Sequence, residues 1–180
     1  MQMLSTRRVL TILTAAAFSL WSQGSLAASG SAGDAATVAL PLVAAGISLY
    51  YDDSDGLWQL VKSEGSTLAI TQLLKATVRE TRPNGQDQRS FPSRHASVAF
   101  SAAQFMQMRG GWAYGVPAYI VATAVAADRV HLREHHVKDV VAGALVGIAS
   151  SAYFTDRRYG VSVGYSPRDR AIVASLRMDW

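Results

Sequence analysis

At 180 residues the chain has room for one domain with a real core and not for two. Hydrophobic residues make up 49% and charged residues 17%, which is apolar for a soluble protein of average composition. The net charge of +4 is too small to argue for a nucleic-acid partner. The absence of cysteine excludes disulfides, thiol nucleophiles and cysteine-based zinc sites.

Arg7 and Arg8 precede an apolar run from Val9 to Leu20, and Ser25-Leu26-Ala27 supplies small residues where a signal peptidase reads. Residues 1–27 therefore read as a signal peptide, with an uncleaved first membrane helix as the second reading. The expected location is the periplasm, or alternatively the inner membrane with the functional site facing the periplasm. Without residues 1–27, fifteen Lys and Arg face thirteen Asp and Glu, a nearly balanced surface.

Asp34 to Tyr51 is uncharged between its ends and predicts a buried helix. Asp52 to Gly56 is a turn, with Asp55 placed to cap the next helix. Leu57 to about Glu80 predicts that second helix, broken near Gly65, and Arg82 to Phe91 a loop. Helices are expected over about His95–Met108 and Val116–Ala127, separated at Gly110-Gly111, and from near Glu134 to Phe154. Val161 to Tyr165 alternates, Ser166 to Arg170 is a turn, and Ala171 to Trp180 extends again. The prediction is an all-α fold. A compact bundle of about five helices runs to about residue 155, followed by a short C-terminal β-hairpin over 160–180, in one domain from 28 to 180. No internal apolar stretch reaches the roughly 20 residues of a usual membrane span, so a soluble or peripheral bundle is favoured over an embedded one.

Three charged clusters interrupt this apolar pattern. Lys75 and Arg82 lie seven residues apart, two helical turns, so both can leave one face near a helix end and suit a dianionic phosphoryl group. Taken alone, the pair also fits a solvated helix end. Pro92-Ser93-Arg94-His95 puts a hydroxyl and unpaired backbone N–H groups at a helix start, where they can cradle an anion or simply cap the helix. His135 and Asp139, at i and i+4, allow a carboxylate to hold one ring nitrogen and leave the other free to attack.

In order and spacing, Lys75-x6-Arg82-Pro83, Pro92-Ser93-x-His95 and Arg129-x5-His135-x3-Asp139 resemble the signature of the type-2 phosphatidic acid phosphatase and vanadium haloperoxidase superfamily. The resemblance implies a metal-independent phosphomonoesterase. His135 is then the nucleophile that becomes phosphorylated, Asp139 orients it, and His95 protonates the leaving group and later activates water. Lys75, Arg82, Arg129, Ser93 and the backbone N–H of Arg94 are then the phosphate-binding groups. Two positions depart from the usual pattern: Arg94 stands where the family has glycine, and Asp128 stands before Arg129 where serine is usual.

The resemblance implies no cofactor and no metal, with vanadate as an inhibitor. Expected substrates are phosphorylated lipids of the cell envelope or small soluble phosphomonoesters, with membrane-surface association and no nucleic acid. Three alternatives stay open: a vanadate-dependent haloperoxidase, a catalytically silent lipid- or phosphate-binding protein, and a metal-dependent hydrolase using a His131–His135–Asp139 stripe.

Overall fold

The computed structural model describes residues 32–166 and 171–178, with side chains as far as Arg158. The chain divides into a unit over residues 1–30 and a second from Ser31 to Trp180; the expected signal peptide falls in the first and lies outside the described residues. Among the described residues there are five helices: α1 (Ala32–Tyr50), α2 (Ser54–Thr77), α3 (Arg94–Gly110), α4 (Trp112–His131) and α5 (Val137–Phe154).

The helix boundaries have local causes. Asp52 ends α1 in a left-handed conformation, φ 53°, a geometry that aspartate tolerates better than most residues. Asp53, not Asp55, caps α2 by accepting a 2.9 Å hydrogen bond from the Gly56 N–H. Gly65 does not break α2. It sits inside the helix with open space around it, where glycine costs only about 1 kcal/mol relative to alanine. Gly111, at φ 79°, separates α3 from α4 as the Gly-Gly pair predicted. The last helix starts at Val137 and not near Glu134, because Arg133 turns the chain at φ 56°.

α3 is the central helix. Its buried side includes Ala96, Ala99, Ala102 and Ala103, all inaccessible to solvent, with Phe105 beside them. Small residues let its neighbours approach closely. Gly143 and Gly147 of α5 lie against the carbonyls of Ser93 and Ser97, so tightly that a methyl group at either glycine would overlap the opposing main chain. These pairings run in the same direction along both helices, so α3 and α5 are parallel. α2 runs against them: Thr71 donates to Ser97 at 3.0 Å, and Ser63 lies 3.3 Å from the Thr155 hydroxyl.

The interior is unusually polar and the exterior unusually apolar. Ser63, Thr67 and Thr71, one turn apart on α2, are fully buried, as are Ser97 and Ser101 of α3. Facing outward instead are Leu42 and Val43 of α1, Leu73 of α2, Ile120 of α4 and Leu145 of α5, the last two 64% and 63% exposed. The expected burial of α1 therefore holds for one face only, carried by Gly33, Thr37, Leu40, Ala44 and Ser48. α1 and α5, at 19 and 18 residues with mean hydropathies of 1.5 and 1.3, are long and apolar enough to cross a membrane.

Beyond α5 the backbone runs as two extended segments, Tyr159–Ser166 and Ala171–Met178, with Tyr159 opposite Met178. Residues 167–170 and every side chain from 159 onward lie outside the described residues, so the hairpin stays an expectation.

Candidate active site

All three charged clusters meet at one end of the bundle, where α1, α3 and α5 begin and α2 and α4 finish. Helix starts carry unpaired N–H groups and the positive end of the helix dipole, so this end favours an anion before any side chain is counted. The loop from α2 to α3 folds back on itself to bring its cations in. Glu80 N–H bonds Gln88 O at 3.1 Å, and Ser90 N–H returns to Glu80 O at 2.9 Å.

His135 is only 2% exposed and lies in the turn before α5, so its relation to Asp139 is not the intrahelical pair that the spacing suggested. Its Nδ1 sits 3.8 Å from Asp139 Oδ2, within ion-pair range but too long for a hydrogen bond. Asp139 is fully buried and held by others: Ser90 Oγ donates to Oδ2 at 2.5 Å and the His136 N–H at 2.8 Å. The Ser93 N–H donates to the Asp139 carbonyl at 2.9 Å, tying the start of α3 to the start of α5. Burial, with Arg82 and Lys75 facing it, pushes the His135 pKa down to about 3, so the ring is neutral and keeps a free lone pair at ordinary pH.

His95, in the first turn of α3, is also pushed down, to about 4, by burial and then by Arg129. Its Nε2 is 2.9 Å from Asp34 Oδ1, while its Nδ1 is buried without a hydrogen-bond partner. Arg129, 1% exposed, meets Asp34 and Glu134 at 2.9 Å each and also Asp128. An anion that approaches Arg129 competes with these carboxylates for its guanidinium.

Lys75 donates to Arg89 O at 2.6 Å; burial and then the Arg82 charge lower its pKa to about 8. Arg82 pairs with Asp87 at 2.9 Å and donates to Glu134 O at 3.2 Å. Ser93 caps α3, its Oγ accepting from the Ala96 N–H at 3.4 Å, a bond that uses the oxygen as acceptor and not its O–H as donor. Arg94 is exposed in ordinary helical backbone, so the replacement of glycine there carries no backbone strain.

The His131–His135–Asp139 stripe is not assembled: α4 ends at His131, which is exposed, and the chain turns before α5. The structure instead gathers two other sets of groups able to hold a metal ion, His95 with Glu134 and His135, and Glu80 with His136 and Asp139. Asp34, Ser90 and Glu134 belong to the site and were not singled out from the sequence. A first-turn acid, a loop serine and an acid beside an arginine each have a commonplace reading there.

Two neutral histidines, a buried carboxylate and converging cations at a positive helix end make an arrangement suited to an anion. The PAP2 superfamily pattern matches residues 56–159, more than half of the chain, and the chain belongs to that superfamily. It is 29% identical over 129 residues to a lipid A 4'-phosphatase of Helicobacter pylori (strain J99), covering 66% of this chain and 65% of that protein. It is 37% identical over 71 residues to a lipid A 1-phosphatase of Porphyromonas gingivalis, covering 37% of this chain and 16% of that one. The chain thus spans just under two thirds of the first of these relatives and a small part of the second. Its fold is similar to the crystal structure of Aquifex aeolicus LpxE, with a TM-score of 0.53 at 18% identity over 66% of this chain and 82% of that one.

Proposed function

We propose that the protein is a phosphatase that hydrolyses phosphomonoesters carried on lipids, through a phosphohistidine on His135. The observation that carries this reading is His135 itself: buried, neutral, beside Asp139 and facing Lys75 and Arg82. With Nδ1 turned to Asp139, Nε2 is the nitrogen that attacks phosphorus. The P–O ester bond breaks, and the leaving alkoxide takes a proton from His95, which enters this step protonated in the substrate complex and leaves it neutral. Neutral His95 then takes a proton from water, whose oxygen attacks phosphorus. The P–N bond breaks, freeing phosphate and restoring His135. Lys75, Arg82 and Arg129 stabilise the charge on the phosphoryl oxygens, which supplies most of the catalysis in phosphoryl transfer.

A lipid-linked substrate is supported by the apolar outward faces of all but the central helix and by the two relatives named as lipid A phosphatases. The chain then associates with a membrane through those faces, the charged end lying at headgroup level. We assign the site to the periplasmic side, in keeping with the signal-peptide reading of residues 1–27.

Acid-labile, alkali-stable radiolabel on His135 after quenching with a labelled substrate tests the chemistry. Turnover of a lipid phosphate in vesicles against a water-soluble aryl phosphate tests the substrate class. Activity is expected to survive EDTA and to fall with vanadate. Loss in EDTA with recovery in zinc would transfer the chemistry to a metal held by His95, Glu134 and His135.

A further inference from the structure

We infer that Asp34 is a positioning residue for the general acid: its carboxylate holds the His95 ring and its proton, under the control of Arg129. This rests on the reading of His95 as the proton donor.

The difficulty that His95 faces is electrostatic. It must carry a proton when the leaving alkoxide departs, yet it is mostly buried and surrounded by positive charge. Arg94 stands on its own helix, Arg82 in the preceding loop and Arg129 on α4, while neutral His135 and the acid Glu134 lie in the turn after α4. Asp34, from the first turn of α1, is the acid that meets the ring directly, 2.9 Å from Nε2. A carboxylate on Nε2 fixes the tautomer and leaves Nδ1 to pass the proton. That nitrogen is buried and has no competing partner.

Asp34 Oδ1 is shared, however, with Arg129 Nη1, also at 2.9 Å. While Arg129 holds Asp34, much of the carboxylate's charge is spent on the guanidinium, and His95 stays neutral. A phosphoryl group that recruits Arg129 draws it away from Asp34. The full carboxylate charge then falls on His95, which gains its proton in the complex where the proton is used. After the first step the same contact keeps His95 oriented as the base for water. Asp34 touches neither phosphorus nor the leaving oxygen; it acts through His95.

The test compares the full-length wild type with Asp34→Asn, Asp34→Glu and His95→Ala, on an alkyl phosphate and on p-nitrophenyl phosphate, over a range of pH. Asp34→Asn is expected to lower kcat on the alkyl ester by roughly 10–100-fold, part of the usual contribution of general acid catalysis, with little change on the aryl ester. The basic limb of the alkyl kcat profile, which reports the enzyme–substrate complex, is expected to move down by about one unit or more. KM should not rise, since Arg129 no longer has to leave Asp34, and Asp34→Glu should restore most of the rate. Equal losses on both substrates with an unmoved pH limb would make Asp34 merely structural and overturn the inference. Faster turnover of both substrates, with tighter vanadate binding, would make Asp34 an occupant of the phosphate position and also overturn it. If His95→Ala fails to separate the two leaving groups, the general-acid reading falls and this inference with it. If His95→Ala separates them and Asp34→Asn does not, only this inference falls.

Discussion

Each end of the bundle carries a buried cluster of opposite charges, and the two clusters differ in one respect. At the far end, Asp53 accepts from the Gly56 N–H at 2.9 Å and from Arg109 Nη2 at 2.5 Å and Nε at 3.1 Å, and Arg158 Nη1 adds a further contact at 3.3 Å. Both carboxylate oxygens are used. Burial opposes ionisation of Asp53, but the Arg109 hydrogen bonds and charge outweigh it and hold its pKa down. At the site end, Nδ1 of His95, Nδ1 of His135 and Oδ1 of Asp139 are buried without hydrogen-bond partners. Leaving a buried polar group unmatched costs about 1–3 kcal/mol, so a cluster that keeps several fits the proposed reading, in which a ligand completes it. The cluster with every group matched acts as a staple, and the one with groups left open suits the proposed site.

The largest effect expected from this contrast is chemical. His135→Ala should remove turnover by a factor on the order of 10⁶, as loss of a covalent nucleophile does, while its melting temperature stays near that of the wild type. Phosphate release under saturating lipid phosphate and a thermal melt together check it. Asp139→Asn comes next, with kcat expected to fall roughly 10²–10⁴-fold, as when the orienter of a catalytic histidine is neutralised, and KM held within a few-fold.

At the other end the effect should be on stability and not on chemistry. Asp53→Ala strands Arg109 in a nearly buried position and is expected to cost about 3–5 kcal/mol in denaturant unfolding. The molecules that remain folded should keep wild-type kcat.

The two ends should also unfold differently with pH. His135 and His95 are neutral when folded, with pKa values of about 3 and about 4, against about 6.5 in the unfolded chain. Between those values the unfolded state binds more protons, so stability falls as pH drops below about 6.5. Asp53, whose folded pKa is depressed, contributes above its unfolded value and loses that contribution only at lower pH. Melts from pH 7 to 3 should therefore show an upper loss that His135→Gln reduces and a lower loss that Asp53→Asn removes. The smallest effect is reserved for an exposed lysine paired with a half-buried acid near the site. Lys138→Ala breaks a 2.5 Å contact to Glu80 that water already screens, and its thermal melt should overlay that of the wild type.

The contrast between staple and site was only half legible in the sequence. Lys75, Arg82, His95, Arg129, His135 and Asp139 stand out because charged residues at regular spacing are conspicuous in an apolar chain, and the structure brings them to one end. Asp34 stands 61 residues before His95, and a lone acid in a helix's first turn is most often a dipole partner, so nothing local distinguishes it. The start of α5 was misread for a similar reason. Arg133 turns the chain in a left-handed conformation for which arginine has no preference, so periodicity ran the helix through it. The outward apolar faces were misassigned as core, since a helix that is apolar around its whole circumference does not record which side meets its neighbours. The Asp53–Arg109 staple went unseen because its partners are 56 positions apart.

The glycine contacts between α3 and α5 have a mechanical consequence. His95 rides on the first turn of one helix, and His135 just precedes the other, whose main chains touch at Gly143 and Gly147 with no side chain between them. The gap between proton donor and nucleophile is thus gauged by backbone against backbone, the stiffest spacer a helix pair possesses. Side chains on the outer surface can be exchanged, or squeezed by changing surroundings, without resetting that gauge. One methyl group added at position 143 would wedge it open beside the reacting atoms.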